Sequence, residues 1–292
     1  MLLTNIVKAE EEDNPYKDVQ IETVKISKGL YMLIGAGGNI GLSVGEDGVF
    51  MIDDQFAPMT PKIKAAVAAI TDQPIKFLIN THWHFDHTGG NENLGKENVL
   101  IVAHDNVYKR MSVDSLIGAF GMTVPASPKV ALPVITFNDT TTFHLNGDDI
   151  HVFHQQNAHT DGDSIIHFKK ANVVHTGDVW FNQVYPFIDT SSGGSLDGII
   201  RGAENLLTIV DKDTKIIPGH GPLASKSDLE GYLKMLKTLR MRMQKLIDEG
   251  KTIDEIVALK PYADYDKTLG QAFMKPVMFL RIVHDSLTRQ EQ

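Results

Sequence analysis

Thr81-His82-Trp83-His84-Phe85-Asp86-His87-Thr88-Gly89-Gly90-Asn91 follows directly on the apolar run Ile75-Lys76-Phe77-Leu78-Ile79-Asn80, which reads as a buried strand. Three imidazoles and one carboxylate crowd the strand's end, and so many polar groups beside a core need partners. Metal ions supply them. Side chains two apart in an extended segment face the same way, so His82 and His84 close on one ion while Asp86 and His87, beyond the bend, face another. The pair Gly89-Gly90 is expected to let the backbone turn tightly against the site, with a helix starting near Asn91.

Working outward, Ile21 to Ile26, Leu30 to Ile34, Ile40 to Val44 and Val49 to Ile52 read as strands, separated by the turn segments Gly35-Ala36-Gly37-Gly38-Asn39 and Gly45-Glu46-Asp47-Gly48. Asp53-Asp54 ends the fourth. Either is a possible ligand, but the favoured reading is that one of them orients the histidine loop. Thr60-Pro61 then opens a helix with Ile63, Ala66, Val67 and Ile70 on one face. Val99 to Ala103 repeats the buried-strand pattern, and a helix is expected from Asp105. Residues 115–135, with Pro125, Pro128 and Pro133 among Phe120, Met122 and Val124, read as a long surface connection or a loop bordering a cleft.

A second series of strands is expected at Thr141 to Leu145, Ile150 to His154, Ser164 to Phe168, Val173 to His175 and Lys215 to Ile217. A helix from Ser195 carries the apolar stripe Leu196, Ile199, Ile200, Ala203, Leu206 and Leu207. From Ser227, paired with Glu230 as a capping box, the chain turns helical, and Thr252 with Glu255 caps a further short helix. These last helices carry packing signals alone.

Four stretches in order resemble the metal motifs of the metallo-β-lactamase superfamily: the opening one, Ala158-His159-Thr160, Thr176-Gly177-Asp178 and Pro218-Gly219-His220-Gly221. Together they span about residues 21 to 221. The resemblance implies an α/β (α+β) fold, a four-layer αββα sandwich of two mixed sheets, which the two mixed halves also suggest. It implies two Zn2+ as cofactors: His159 completes a three-histidine site with His82 and His84, Asp178 bridges, and His220 joins Asp86 and His87. Three neutral imidazoles with one open position is the pattern of a catalytic zinc. The seven histidines outside the motifs are read as surface or core residues, His175 being the nearest competitor.

A pair of zinc ions can activate a shared water toward a carbonyl or phosphoryl centre, with Asp86 as a hydrogen-bond acceptor for that nucleophile. Asp178 stands where the zinc β-lactamases of the cysteine-containing class have cysteine, and His87 where they often have a basic residue. No lysine follows Asp178 closely. The expected activity is β-lactam amide hydrolysis, slightly ahead of lactone or hydroxyacylglutathione-type thioester hydrolysis. A di-iron redox protein on the same scaffold is the reading from another class, but its relatives carry acidic ligand replacements and a flavin domain, and this chain carries neither. Trp180 to Phe187 is expected to line the cleft, with Trp180, Asn182 and Tyr185 as substrate contacts.

At 292 residues, 42% apolar and 22% charged, the chain has the makeup of an ordinary globular protein. Its net charge of −9 disfavours a nucleic-acid partner, and no apolar run is long enough for a membrane span. The absence of cysteine excludes disulfides and thiolate ligands. The expected partner is a small-molecule substrate, with oligomeric state left open. The expected layout is a flexible segment 1–19, a catalytic domain 20–225 and a helical extension 226–292. Location reads as cytoplasmic, or periplasmic if an export signal has been removed.

Overall fold

A computed structural model describes residues 14–289. The chain opens with strands β1 (Glu22–Ser27), β2 (Leu30–Ile34), β3 (Ile40–Gly45) and β4 (Gly48–Ile52), then helix α1 (Thr60–Ala68), β5 (Ile75–Ile79), the short helices α2 (Phe85–Thr88) and α3 (Asn91–Gly95), β6 (Leu100–His104) and α4 (Asp105–Met111). A hairpin, β7 (Ser115–Ile117) and β8 (Met122–Val124), precedes β9 (Ile135–Phe137). The second half runs β10 (Thr140–Leu145), β11 (Asp148–His154), β12 (Ser164–Phe168), β13 (Val173–His175), α5 (Leu196–Ile209), β14 (Lys215–Ile217), then α6 (Lys226–Asp248), α7 (Ile253–Leu259), α8 (Ala263–Leu269) and α9 (Pro276–Thr288).

Two mixed sheets form, in the orders β1-β2-β3-β4-β5-β6-β9 and β10-β11-β12-β13-β14. Their facing sides share one core: Met32, Phe50, Ile52, Ile79 and Val102 from the first meet Ile150, Val152, Ile166, Phe168 and Ile217 from the second. The period of two in β4 sends Val49 and Met51 the other way, against Ile63 and Val67 of α1. Ile165, Val174 and Ile216 likewise turn outward onto Leu196, Ile199 and Ala203 of α5 and Leu229, Leu236 and Leu239 of α6. Helix, sheet, sheet and helix therefore stack as the four expected layers. Phe279, Leu280 and Val283 of α9 belong to that same outer cluster.

Three local expectations change. The box that starts α6 is Ser225 with Asp228, whose carboxylate accepts from the Ser225 backbone N–H at 2.9 Å. Residues 1–13 lie outside the described residues, while 14–19 are held in place: Tyr16 stacks on Phe56 at 4.8 Å, and Lys62 Nζ donates to the carbonyls of Tyr16, Lys17 and Val19. Segment 115–135 contains the β7–β8 hairpin. Among the described residues no helix is long and apolar enough to cross a membrane.

Candidate metal centre

The four motifs sit beyond the carboxyl ends of β5, β11, β13 and β14, where a sheet's open edge leaves room for a ligand. They bring together three overlapping groups of ligand atoms, each within 4.8 Å: His82, His84 and His159; His82, His87 and Asp178; Asp86, His87 and His220. His175 stays outside them. Its Nε2 donates to the Asn39 carbonyl at 3.0 Å and its Nδ1 accepts from Gly177 N at 3.1 Å, so both ring nitrogens are already committed.

Hydrogen bonds fix which nitrogen each candidate histidine has free. His82 Nδ1 meets Thr81 Oγ1 at 3.0 Å, leaving a fully buried Nε2 without a partner. His84 Nε2 donates to Asp189 Oδ2 at 3.0 Å, and His159 Nδ1 donates to the Phe187 carbonyl at 2.8 Å. What remains, His84 Nδ1 and His159 Nε2, are two unprotonated nitrogens facing each other across 2.8 Å. Lone pairs at that distance repel unless a cation lies between them. The donor set thus fits a metal, and neutral imidazoles of this kind suit zinc. Burial pushes the His159 ring down to about 4 and holds His82 well below its ordinary value, which keeps both rings in the ligating state.

On the other side, His87 Nδ1 donates to Asp53 Oδ2 at 2.7 Å and its Nε2 lies 3.3 Å from His220 Nε2. Asp178 spans the two groups, with Oδ1 3.2 Å from His87 Nε2 and Oδ2 3.5 Å from both His159 and His220 Nε2. Asp86 Oδ2 is 3.3 Å from His220 Nε2. Burial opposes charge on His220, but Asp178 and Asp86 outweigh it and lift the ring to about 9. The three-histidine side is sealed, whereas the Asp86 and His220 side chains are 24% and 18% exposed. The centre is therefore open to solvent on the Asp86 and His220 side.

Of the two acids after β4, Asp53 is the one that orients the loop: it accepts from Thr81 N and Thr81 Oγ1, each at 2.7 Å, as well as from His87. Through Thr81 it also holds His82. Its backbone is left-handed, φ +59°, a conformation that asparagine and aspartate tolerate best among side-chain-bearing residues. Asp54 instead accepts from Gly90 N at 2.8 Å. Gly89 and Gly90 have ordinary helical backbones, φ −65° and −80°, so they are not turn-makers. They are close-approach residues: a Cβ on Gly90 would sit 2.8 Å from Asp54 Cγ.

Two of the expected substrate contacts belong to the interior. Trp180 is fully buried and packs on Tyr232 at 5.8 Å. Tyr185 is also fully buried, stacks on Phe279 at 4.3 Å and donates its hydroxyl to Asp266 at 2.9 Å. Asn182 is nearly buried, with its amide donating to the Pro222 carbonyl at 2.9 Å. From the same stretch it is Phe181 and Phe187 that touch ligands, stacked on His220 at 5.0 Å and on His84 at 5.6 Å.

Sequence reasoning missed Asp189, Asn39 and Asp163. Asn39 donates to the carbonyls of Pro218 and Gly221 and clamps the His220 loop. Asp163 accepts from His159 N, Thr160 N and Thr160 Oγ1. Burial nonetheless raises its carboxyl to about 8. The run Thr160-Asp161-Gly162-Asp163 signals a turn, and Asn39 closes a glycine turn. Asp189 carries no motif.

A family model described as the metallo-beta-lactamase superfamily matches residues 33–221. The chain belongs to the metallo-beta-lactamase superfamily. Solved structures agree on the superfamily fold. The DIM-1 metallo-beta-lactamase is 17% identical, with 75% of this chain and 99% of that one covered and a TM-score of 0.60. A metallo-beta-lactamase from Pontibacter korlensis is 20% identical over 75% and 99%, with a TM-score of 0.59. The stereoselective inverting sec-alkylsulfatase Pisa1 from Pseudomonas sp. is 16% identical over 91% of this chain and 50% of that one, with a TM-score of 0.67. No curated protein matches. A superfamily fold with these buried His and Asp groups makes the chain a metal-dependent hydrolase of that superfamily.

Proposed function

We propose that this hydrolase works with two zinc ions on an activated acyl compound. The observation that carries the reading is Asp178, whose carboxylate lies between a sealed three-histidine group and a half-open Asp86, His87 and His220 group. When bound, zinc lowers the pKa of water and polarises a carbonyl oxygen. The chain's part is to keep His82 and His159 unprotonated by burial, to fix the rings through Asp53, Asp189 and the Phe187 carbonyl, and to offer Asp86 as hydrogen-bond acceptor for the attacking water.

For the substrate, a lactone or thioester is the reading that Asp178 favours. A hard carboxylate in place of a thiolate favours holding the nucleophile over stabilising a departing lactam nitrogen. β-Lactam amide hydrolysis is the second reading, supported by the ligand pattern and by the metallo-beta-lactamases among the structures of similar fold. A panel of β-lactam, lactone, thioester, phosphodiester and alkyl sulfate, run on metal-quantified protein, tests both. Two zincs per chain, activity abolished by chelation and restored by zinc, and lactone or thioester as the best substrate are expected. Full activity in metal-free protein would overturn the mechanism.

A further inference from the structure

A cavity of about 130 Å3 adjoins the histidine loop on the side of Trp83, with Phe85, Met111, Val124, Pro128 and Ala131 among its walls. None of the candidate metal ligands lines it. An engineered apolar cavity of roughly 150 Å3 holds benzene, so this one has room for a five-membered ring.

Trp83 is 2% exposed, and its indole N–H has no hydrogen-bond partner among the described residues. A buried indole usually finds one, because a donor left unpaired away from water costs free energy. The backbone that carries it is held: Thr88 Oγ1, at the cavity wall, donates to the carbonyls of His84 at 3.1 Å and Trp83 at 3.4 Å. The charged groups in the lining are already paired. Arg110 donates Nε and Nη2 to Asp161 at 2.7 Å each, and Glu92 meets Lys96 at 2.6 Å. The cavity therefore offers a ligand a free indole donor and apolar walls, with no uncompensated charge to attract an ion.

We propose that this cavity is a second binding site, which takes a small uncharged carbonyl compound such as a five-membered cyclic ketone, lactam or lactone, with its oxygen accepting from Trp83 Nε1. A hydrocarbon of the same shape would leave the indole N–H unpaired, and a carboxylate would bury a charge that Arg110, already matched by Asp161, does not offset. The site is separate from the metal centre and does not depend on the hydrolase reading. Because Trp83 stands between His82 and His84, a molecule bound here rests on the loop that carries both.

The test titrates zinc-loaded full chain with cyclopentanone, which has the carbonyl but no hydrolysable bond, and with cyclopentane and butyrate as its acceptor-free and anionic counterparts. The chain has 2 tryptophans, so a nitrogen-15 spectrum holds one indole N–H signal for each, and Trp180→Phe tells which belongs to Trp83. Cyclopentanone should move the Trp83 signal downfield and saturate in the millimolar range, while that of Trp180, an unpaired indole outside the cavity lining, stays in place. Cyclopentane and butyrate should not produce that shift. In Trp83→Phe the methyl signal of Met111 should report ketone binding weakened roughly threefold to tenfold, the loss of one neutral hydrogen bond. Ala131→Leu, which fills the cavity, should abolish the response with zinc content unchanged. A Trp83 signal indifferent to the ketone means that the cavity holds water alone and overturns the proposal. Butyrate bound as tightly as the ketone, equal affinity in Trp83→Phe, or an undiminished response in Ala131→Leu overturns it as well.

Discussion

Replacing Asp189 by asparagine tests whether a residue without any sequence motif controls the three-histidine site. Its Oδ2 accepts from His84 Nε2 at 3.0 Å and Ser192 Oγ at 2.6 Å, and its Oδ1 accepts from Ser191 N at 3.1 Å, Ser192 N at 3.2 Å and the Ser191 hydroxyl. Burial alone would raise this carboxyl, yet the donors, His84 foremost, hold it well below the usual range. An amide cannot serve both sides. With its oxygen toward Ser191 and Ser192, its NH2 faces His84 and forces the ring proton onto Nδ1, the nitrogen that points at the centre. With the oxygen toward His84, buried backbone donors lose their acceptor, at a cost of about 1–3 kcal/mol. The first arrangement weakens zinc directly, by roughly 10- to 100-fold on the scale of other outer partners of ligand histidines, or about 1.4–2.7 kcal/mol. The assay is competition for zinc with a chromophoric chelator, alongside thermal unfolding of the metal-free protein. At least a tenfold loss at the tighter site, or a lowered metal-free melting temperature for the second arrangement, is expected. A folded Asp189→Asn protein with unchanged zinc affinity and unchanged melting would refute the role.

Asp178→Ala is expected to lose the second zinc and depress all turnover, whereas Asp178→Cys keeps zinc and raises the ratio of β-lactam to lactone kcat/KM; metal analysis with paired kinetics decides, and two retained metals with full turnover in Asp178→Ala would rule the residue out as a ligand. Tyr185→Phe removes the bond to Asp266 and should cost about 1–3 kcal/mol in urea unfolding with kcat/KM within about twofold of the parent, so a tenfold kinetic loss with zinc retained would return Tyr185 to the cleft. In Gly38→Ala the new Cβ would lie 2.5 Å from His87 Nε2 and 2.6 Å from Nδ1, and Asp53 prevents the ring from yielding. Zinc titration should then show selective loss of the second site, while binding of both ions as in the parent would mean that the loop moves instead.

The candidate ligand groups were legible because metal chemistry restricts residue type: few side chains offer a neutral nitrogen or a hard oxygen, and these stood at strand ends in tight spacing. Strand limits were legible from period two and turn residues. Which neighbour an aromatic meets was not. Phe181 bridges to His220 along the backbone, so its ring faces the centre, and alternation sends Trp180 the opposite way onto Tyr232. An aromatic run reports bulk, and only the register of a distant strand chooses the side. The start of α6 was ambiguous for a similar reason. Ser225-Lys226-Ser227-Asp228-Leu229-Glu230 holds two overlapping boxes, and the pairing of Ala224 with Ile216 decides for the earlier one, because the chain must leave the sheet at Ser225.

The C-terminal helices show where a local pattern stops carrying information. Their apolar stripes fix which face is buried, and nothing in a stripe says that the buried face will rest against the metal centre's supports. Yet Asp285 accepts from Thr190 Oγ1 at 2.6 Å and Ser286 Oγ accepts from Leu196 N at 2.8 Å, so α9 braces both sides of the turn whose Asp189 holds His84. Asp266 takes the Tyr185 hydroxyl two residues before Phe187, whose carbonyl orients His159. Two of the three histidines in the sealed group thus depend on a segment that α8 and α9 keep in place. A small displacement of these helices would be felt at His84 and His159 before it reached Asp86, whose carbonyl accepts from Gly38 N of the opposite loop.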